Sequence, residues 1–137
     1  MGRVFFNTRL NIDTTSCTGT DTYVMTAADS GKTFLVSGGT QAITLLPAAD
    51  LIEGWNCKFI TTASPGGDKT IGAGSTIMHG ASANGSGDAG GVSDGTAKTN
   101  VIIKAASQAG NMVEIICDGS LYHVSGTQGQ NSATLFS

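Results

Sequence analysis

Two histidines, two glutamates and three cysteines are the side chains here best suited to acid–base, nucleophilic or metal chemistry. His79 and His123 have neither the His-x-His nor the His-x-x-x-His spacing that places two imidazoles on one metal. His123 is expected opposite Glu114 as a strand-surface pair, and His79 as a solvated strand-end residue. Cys17, Cys57 and Cys117 are odd in number and widely spaced, with no C-x-x-C, so they form no small-domain disulfide pattern. Cys57 and Cys117 sit in apolar runs, where a thiol behaves as a small hydrophobe. Reduced, inert thiols fit folding in a reducing cytoplasm. Asp88 and Asp94, with Asn84 and Ser86, offer oxygen ligands beside glycines, but the twelve-residue calcium loop and its closing Glu are absent. Gly31-Lys32-Thr33 has the last letters of a phosphate loop. The upstream glycine that the motif requires is absent, and a strand follows where a helix is needed. No Gly-x-Ser-x-Gly occurs. The expectation is a protein with no catalytic, cofactor-binding or metal residues, hence not an enzyme.

The elements carrying these residues read as short strands. Alternation places Phe34 and Val36 on one face of the run Lys32 to Ser37, Ile43 and Leu45 inward in Gln41 to Leu46, and Cys57 and Phe59 inward in Asn56 to Thr62. Thr22 to Thr26, Lys69 to Gly72, Thr76 to His79 and Asn100 to Ala106 add further strands. Only Ala48 to Glu53 suits a helical turn. Met112 to Cys117, Asp118-Gly119 and Ser120 to Ser125 read as a hairpin on a two-residue turn, with Cys117 facing Ser120 and Ile115 facing Tyr122. Trp55 reads as a core anchor. Residues 80–99 are low in apolar content, which predicts a Gly-rich surface loop.

Composition agrees. The 20 Gly, 18 Thr and 13 Ser exceed a third of the 137 residues, and only 12% are charged. That mixture disfavours long helices. The fold class expected is all-β, a β-sandwich or jelly-roll-like barrel of about seven to nine short antiparallel strands. No apolar run approaches the roughly 20 residues of a membrane span, and no basic patch marks a nucleic-acid binder. The chain is expected to engage neither membrane nor nucleic acid. The N-terminus does not read as a signal peptide.

Charge is uneven. Arg3 and Arg9, the only arginines, give residues 1–12 a charge of +2, whereas the rest carries five Lys against ten acids. Val4, Phe5, Phe6, Leu10 and Ile12 are apolar without a clean period. Residues 1–20 read as an extended N-terminal arm, with a first strand tucked into the domain as the alternative. Residues 21–137 read as one domain.

Five stretches carry a resemblance: Ala28-Asp29-Ser30-Gly31-Lys32-Thr33-Phe34, Ile43-Thr44-Leu45-Leu46-Pro47-Ala48, Gly54-Trp55-Asn56-Cys57-Lys58-Phe59-Ile60, Thr70-Ile71, and Val113 through Ser120. Over about residues 25–126 this punctuation resembles the capsid decoration, or head cement, proteins of tailed bacteriophages. Similar modules occur in phage fibres. Family members often carry Trp after the Asp-Gly turn, where Leu121-Tyr122-His123 stands here. The resemblance implies a homotrimer made in the host cytoplasm and bound to the outer capsid surface at threefold or quasi-threefold positions. Its partner would be the major capsid protein, held through Arg3, Val4, Phe5, Phe6, Arg9, Leu10 and Ile12. The alternative is a receptor-binding or fibre-tip domain using Trp55, Tyr122 or the Gly80 to Thr99 segment. A small hydrolase or lectin forms a third class.

Overall fold

Short β-branched and aromatic runs, each ended by Gly, Pro or Asp, leave the chain one economical solution: many brief strands satisfying their backbone groups in sheets. The computed structural model describes residues 10–84, 92–94, 97–128 and 134–136. Among these the structure is mostly strand, with single 3-10 turns at Ala27–Asp29 and Ala48–Asp50.

Two sheets are present. The larger contains β1 (Asn11–Asp13), β3 (Lys32–Val36), β5 (Asn56–Thr61), β10 (Met112–Cys117), β11 (Tyr122–Gln128), β7 (Met78–Asn84) and β8 (Val92–Asp94), in that spatial order. The smaller contains β12 (Thr134–Phe136), β9 (Asn100–Ile103), β6 (Lys69–Gly72), β4 (Gln41–Thr44) and β2 (Tyr23–Val24). The expected antiparallel character is corrected: both sheets are mixed. β1, β3 and β5 stack in parallel in one sheet, while β2, β4 and β6 stack in parallel in the other. Successive strands alternate between sheets, so the first half of the chain winds as a flattened coil. Strand periodicity is two in either orientation, so side-chain alternation does not report direction. β9 on β6 and β10 on β5, both antiparallel, end the winding.

One apolar cluster lies against both sheets. Phe34, Val36, Cys57, Phe59, Val113, Ile115 and Val124 come from the larger, Ile43, Ile71, Val101 and Ile103 from the smaller. Phe34 stacks on Phe59 at 5.5 Å, and Trp55 meets Tyr122 edge-on at 6.0 Å. Both polar tips are satisfied. Trp55 Nε1 donates to the Thr26 carbonyl at 3.1 Å, and Tyr122 Oη donates to the Leu46 carbonyl at 2.9 Å. Trp55 is thus a core anchor, as its sequence context suggests.

The β10–β11 hairpin forms with a different register. Cys117 pairs with Tyr122, Ile116 with His123 and Glu114 with Ser125. The connection is four residues, not two, because Asp118 rewrites it. Its Oδ1 accepts the N–H groups of Ser120 and Leu121, each at 2.8 Å, and its own N–H donates to the Leu121 carbonyl at 3.1 Å. Only Gly119, at φ +92°, takes the left-handed conformation, whereas the expected type I′ turn needs two such residues. Glu114 pairs instead with Lys58 at 3.2 Å.

The Gly-rich segment is also corrected. Residues 80–84 and 92–94 are strands, with β7 parallel to β11 and antiparallel to β8. Ladder hydrogen bonds need no apolar side chains, so low hydrophobicity did not prevent pairing. Gly80 permits the approach. A Cβ there would lie 2.1 Å from the Val124 carbonyl oxygen. Gly80→Ala is expected to cost about 1–3 kcal/mol as an overpacking change, with hydrogen exchange quickening along β7 and β11; unchanged protection there would contradict this pairing.

Candidate functional site

The segment expected to hold the binding residues meets the body at β1. Leu10 and Ile12 are 71% and 49% exposed. Arg3, Val4, Phe5, Phe6 and Arg9 lie outside the described residues. β1 and β2 are the outermost strands of their sheets at one end, and β8 and β12 meet at the other. Val24 on β2 is 61% exposed, because Tyr23 turns inward and alternation turns its neighbour out. Of five large apolar side chains exposed among the described residues, Leu10, Ile12 and Val24 therefore share the first winding. Val24 was missed in the sequence; its signal was the strand alternation after Tyr23.

This end is rigidly seated. The Asp13 carboxylate accepts N–H groups from Thr15 at 3.0 Å and Ser16 at 2.8 Å, and the Ser16 hydroxyl at 2.7 Å. Burial alone would raise the Asp13 carboxyl; these hydrogen bonds outweigh it and hold the group below its usual value. Cys17 is fully buried, and desolvation pushes its thiol up to about 12. Gln41 Nε2 donates to the carbonyls of Ser16 and Asp21 at 2.8 and 2.7 Å. Lys69, with no exposed surface, donates from Nζ to the Gly19 carbonyl at 2.6 Å and to Gln41 Oε1 at 3.2 Å. A buried lysine thus pins the loop between β1 and β2. Nothing local in the sequence marks it.

A second anchor lies under β2. Asp29 is buried and accepts from Lys32 Nζ at 2.7 Å, the Thr26 N–H at 2.8 Å and Tyr23 Oη at 3.0 Å. Burial pushes its carboxyl up, but the hydrogen bonds from Lys32, Thr26 and Tyr23 prevail and lower it. Lys32, the residue that gave Gly31-Lys32-Thr33 its phosphate-loop look, is therefore committed to Asp29.

On the outer face of the larger sheet, Leu10 and Ile116 line a groove of about 220 Å³ together with Lys32, Thr33, Asn56, Lys58 and Glu114. The half-exposed Lys58–Glu114 pair adds little stability. The groove offers apolar walls and a charge-balanced floor, which suits a protein surface.

The remaining chemistry-bearing residues fall as follows. Trp55 and Tyr122 are buried, so neither stacks on an external ligand, and the fibre-tip alternative loses both aromatics. All three cysteines are free and buried, and desolvation pushes the Cys57 thiol up. No group of three or more His, Cys, Asp or Glu able to hold a metal occurs among the described residues. His123 Nε2 lies 2.6 Å from Asp118 Oδ2. Hydrogen bonds from His123, Leu121 and Ser120 bring the Asp118 carboxyl down to about 2.

A carboxylate held lower in the folded state than in the unfolded one stabilises above the unfolded value and loses that contribution as pH falls. For Asp118 the loss is expected between its ordinary 3.8 and about 2. A proton NMR titration following the Asp118 side chain should show this midpoint, and an ordinary carboxylate midpoint would contradict the arrangement.

No protein-family model, no curated protein and no solved structure matches the chain. The likeness to phage decoration proteins rests on the quoted residues alone.

Proposed function

We propose that this protein is a structural subunit of a tailed-bacteriophage particle. In this reading its two sheets pack as a β-sandwich, three copies form a homotrimer, and the trimer clamps the outer capsid surface at threefold or quasi-threefold positions. The protein is made in the host cytoplasm and carried on the virion. The observation that carries the reading is the exposure of Leu10 and Ile12 at β1, Leu10 sharing an outer-face groove with Ile116, where residues 1–9, with Arg3 and Arg9, join the body. Exposed apolar side chains lining one groove offer a place for another protein to sit.

The mechanism is binding. Subunits that favour the assembled shell over free capsid protein stabilise it by mass action. Attachment through three identical sites multiplies weak contacts into firm avidity.

The test uses purified chain and phage heads lacking it. Full-length chain is expected to cosediment with the heads and to behave as a trimer by light scattering. A chain lacking residues 2–9 is expected to melt at the same temperature yet stay in the supernatant. Equal cosedimentation of the two would remove the arm from the mechanism; no association of either would overturn the proposal.

A further inference from the structure

The two histidines, remote in sequence, become neighbours in the fold. β7 and β11 run parallel with His79 and His123 as register partners. Met78, Tyr122 and Val124 turn into the core, so alternation turns both histidines to the outer face of the larger sheet. Adjacent strands lie only about 4.8 Å apart. Both imidazoles line one surface hollow of about 270 Å³, shared with Gly80, Ile116, Val124 and Ser125.

From this juxtaposition we infer that His79 and His123 form a binding site for one divalent ion of borderline softness: zinc, copper(II) or nickel. Imidazole nitrogen suits these metals, whereas magnesium and calcium prefer oxygen. Asp118 supplies a second feature of a built site. Its carboxylate only accepts hydrogen bonds, so the His123 nitrogen 2.6 Å away, Nε2, must carry the proton. The lone pair of His123 is then on Nδ1 and open to a metal. A carboxylate holding the far nitrogen of a ligating imidazole fixes its ring and raises its basicity. Nothing cationic lines the hollow, so no fixed positive charge repels the ion.

With two protein ligands, water fills the other coordination positions. The affinity is therefore modest. The hollow shares Ile116 with the groove lined by Leu10 but involves neither Leu10 nor Ile12.

Isothermal titration of the full chain with zinc, copper(II) and nickel chlorides separately, near neutral pH, tests this. One ion per chain with micromolar affinity is expected for at least one metal. His79→Gln and His123→Gln should each weaken that binding by about tenfold or more, and Asp118→Asn by about tenfold through loss of ring orientation. Copper(II) electron paramagnetic resonance should show two nitrogen ligands in the wild type and one in each histidine variant. All three variants replace exposed or half-buried side chains, and thermal melts check that they fold. Binding weaker than about 1 mM for all three metals, or binding that both histidine variants retain in full, would overturn the site.

Discussion

Leu10→Asp and Ile12→Asp combined in one chain are expected to abolish capsid attachment while leaving the melting temperature within about 2 °C of wild type. Leu10 is mostly exposed and Ile12 about half exposed in the isolated chain, and changes at such positions usually alter stability by no more than about 0.5 kcal/mol. In the bound state the same groups leave water. Full burial of a large aliphatic side chain contributes about 1.5–3 kcal/mol. Losing two such contributions per copy removes about 3 kcal/mol, or roughly a hundredfold in affinity. Threefold attachment compounds the loss. Introducing carboxylates adds a desolvation cost on top. Cosedimentation with heads reads the binding, and circular dichroism melts read the fold. Wild-type binding by the double variant would show that the β1 end is not the attachment surface.

The largest stability effect is expected from Lys69→Ala, a loss of about 3 kcal/mol and roughly 10 °C in melting temperature. Truncation opens space in a fully buried position and leaves the Gly19 carbonyl and Gln41 Oε1 without their donor. Lys69→Met, which refills the volume but not the hydrogen bonds, should lose about half as much. Burial holds the Lys69 ammonium below its ordinary value of 10.5. The sign of its pH dependence follows. In the window beneath 10.5 the unfolded chain binds the proton and the folded chain releases it, so this group makes stability rise with pH. Lys69→Met removes that alkaline rise. Denaturant unfolding across pH 7 to about 10 checks it, and parallel wild-type and Lys69→Met profiles would show that Lys69 is not the buried cation described here.

What was legible in the sequence was whatever local alternation encodes. Phe34 with Val36, Ile43 with Leu45, and Cys57 with Phe59 are inward, as their spacing dictates. The strand run Lys69–Gly72 appears at its expected bounds. Topology was not legible, because Lys32–Val36 and Gln41–Thr44 are separated by a short turn that looks like a hairpin, yet they enter different sheets. The register of β10 and β11 turned on one carboxylate, Asp118, capturing two backbone donors. Residues 80–84 pair because β11 and β8 flank them, a long-range fact that composition does not carry. The candidate site divides in the same way. Leu10 and Ile12 stood out by type and position. The Lys69 clamp and the meeting of His79 with His123 depend on which distant strands become neighbours.

Electron microscopy of the native particle reaches the central claim most directly. Density for this chain is expected in three-subunit clusters, repeated over the outer surface of the head, with Leu10 and Ile12 turned toward the shell. Particles whose heads lack the chain, or that carry a few copies only at the tail tip, would contradict it.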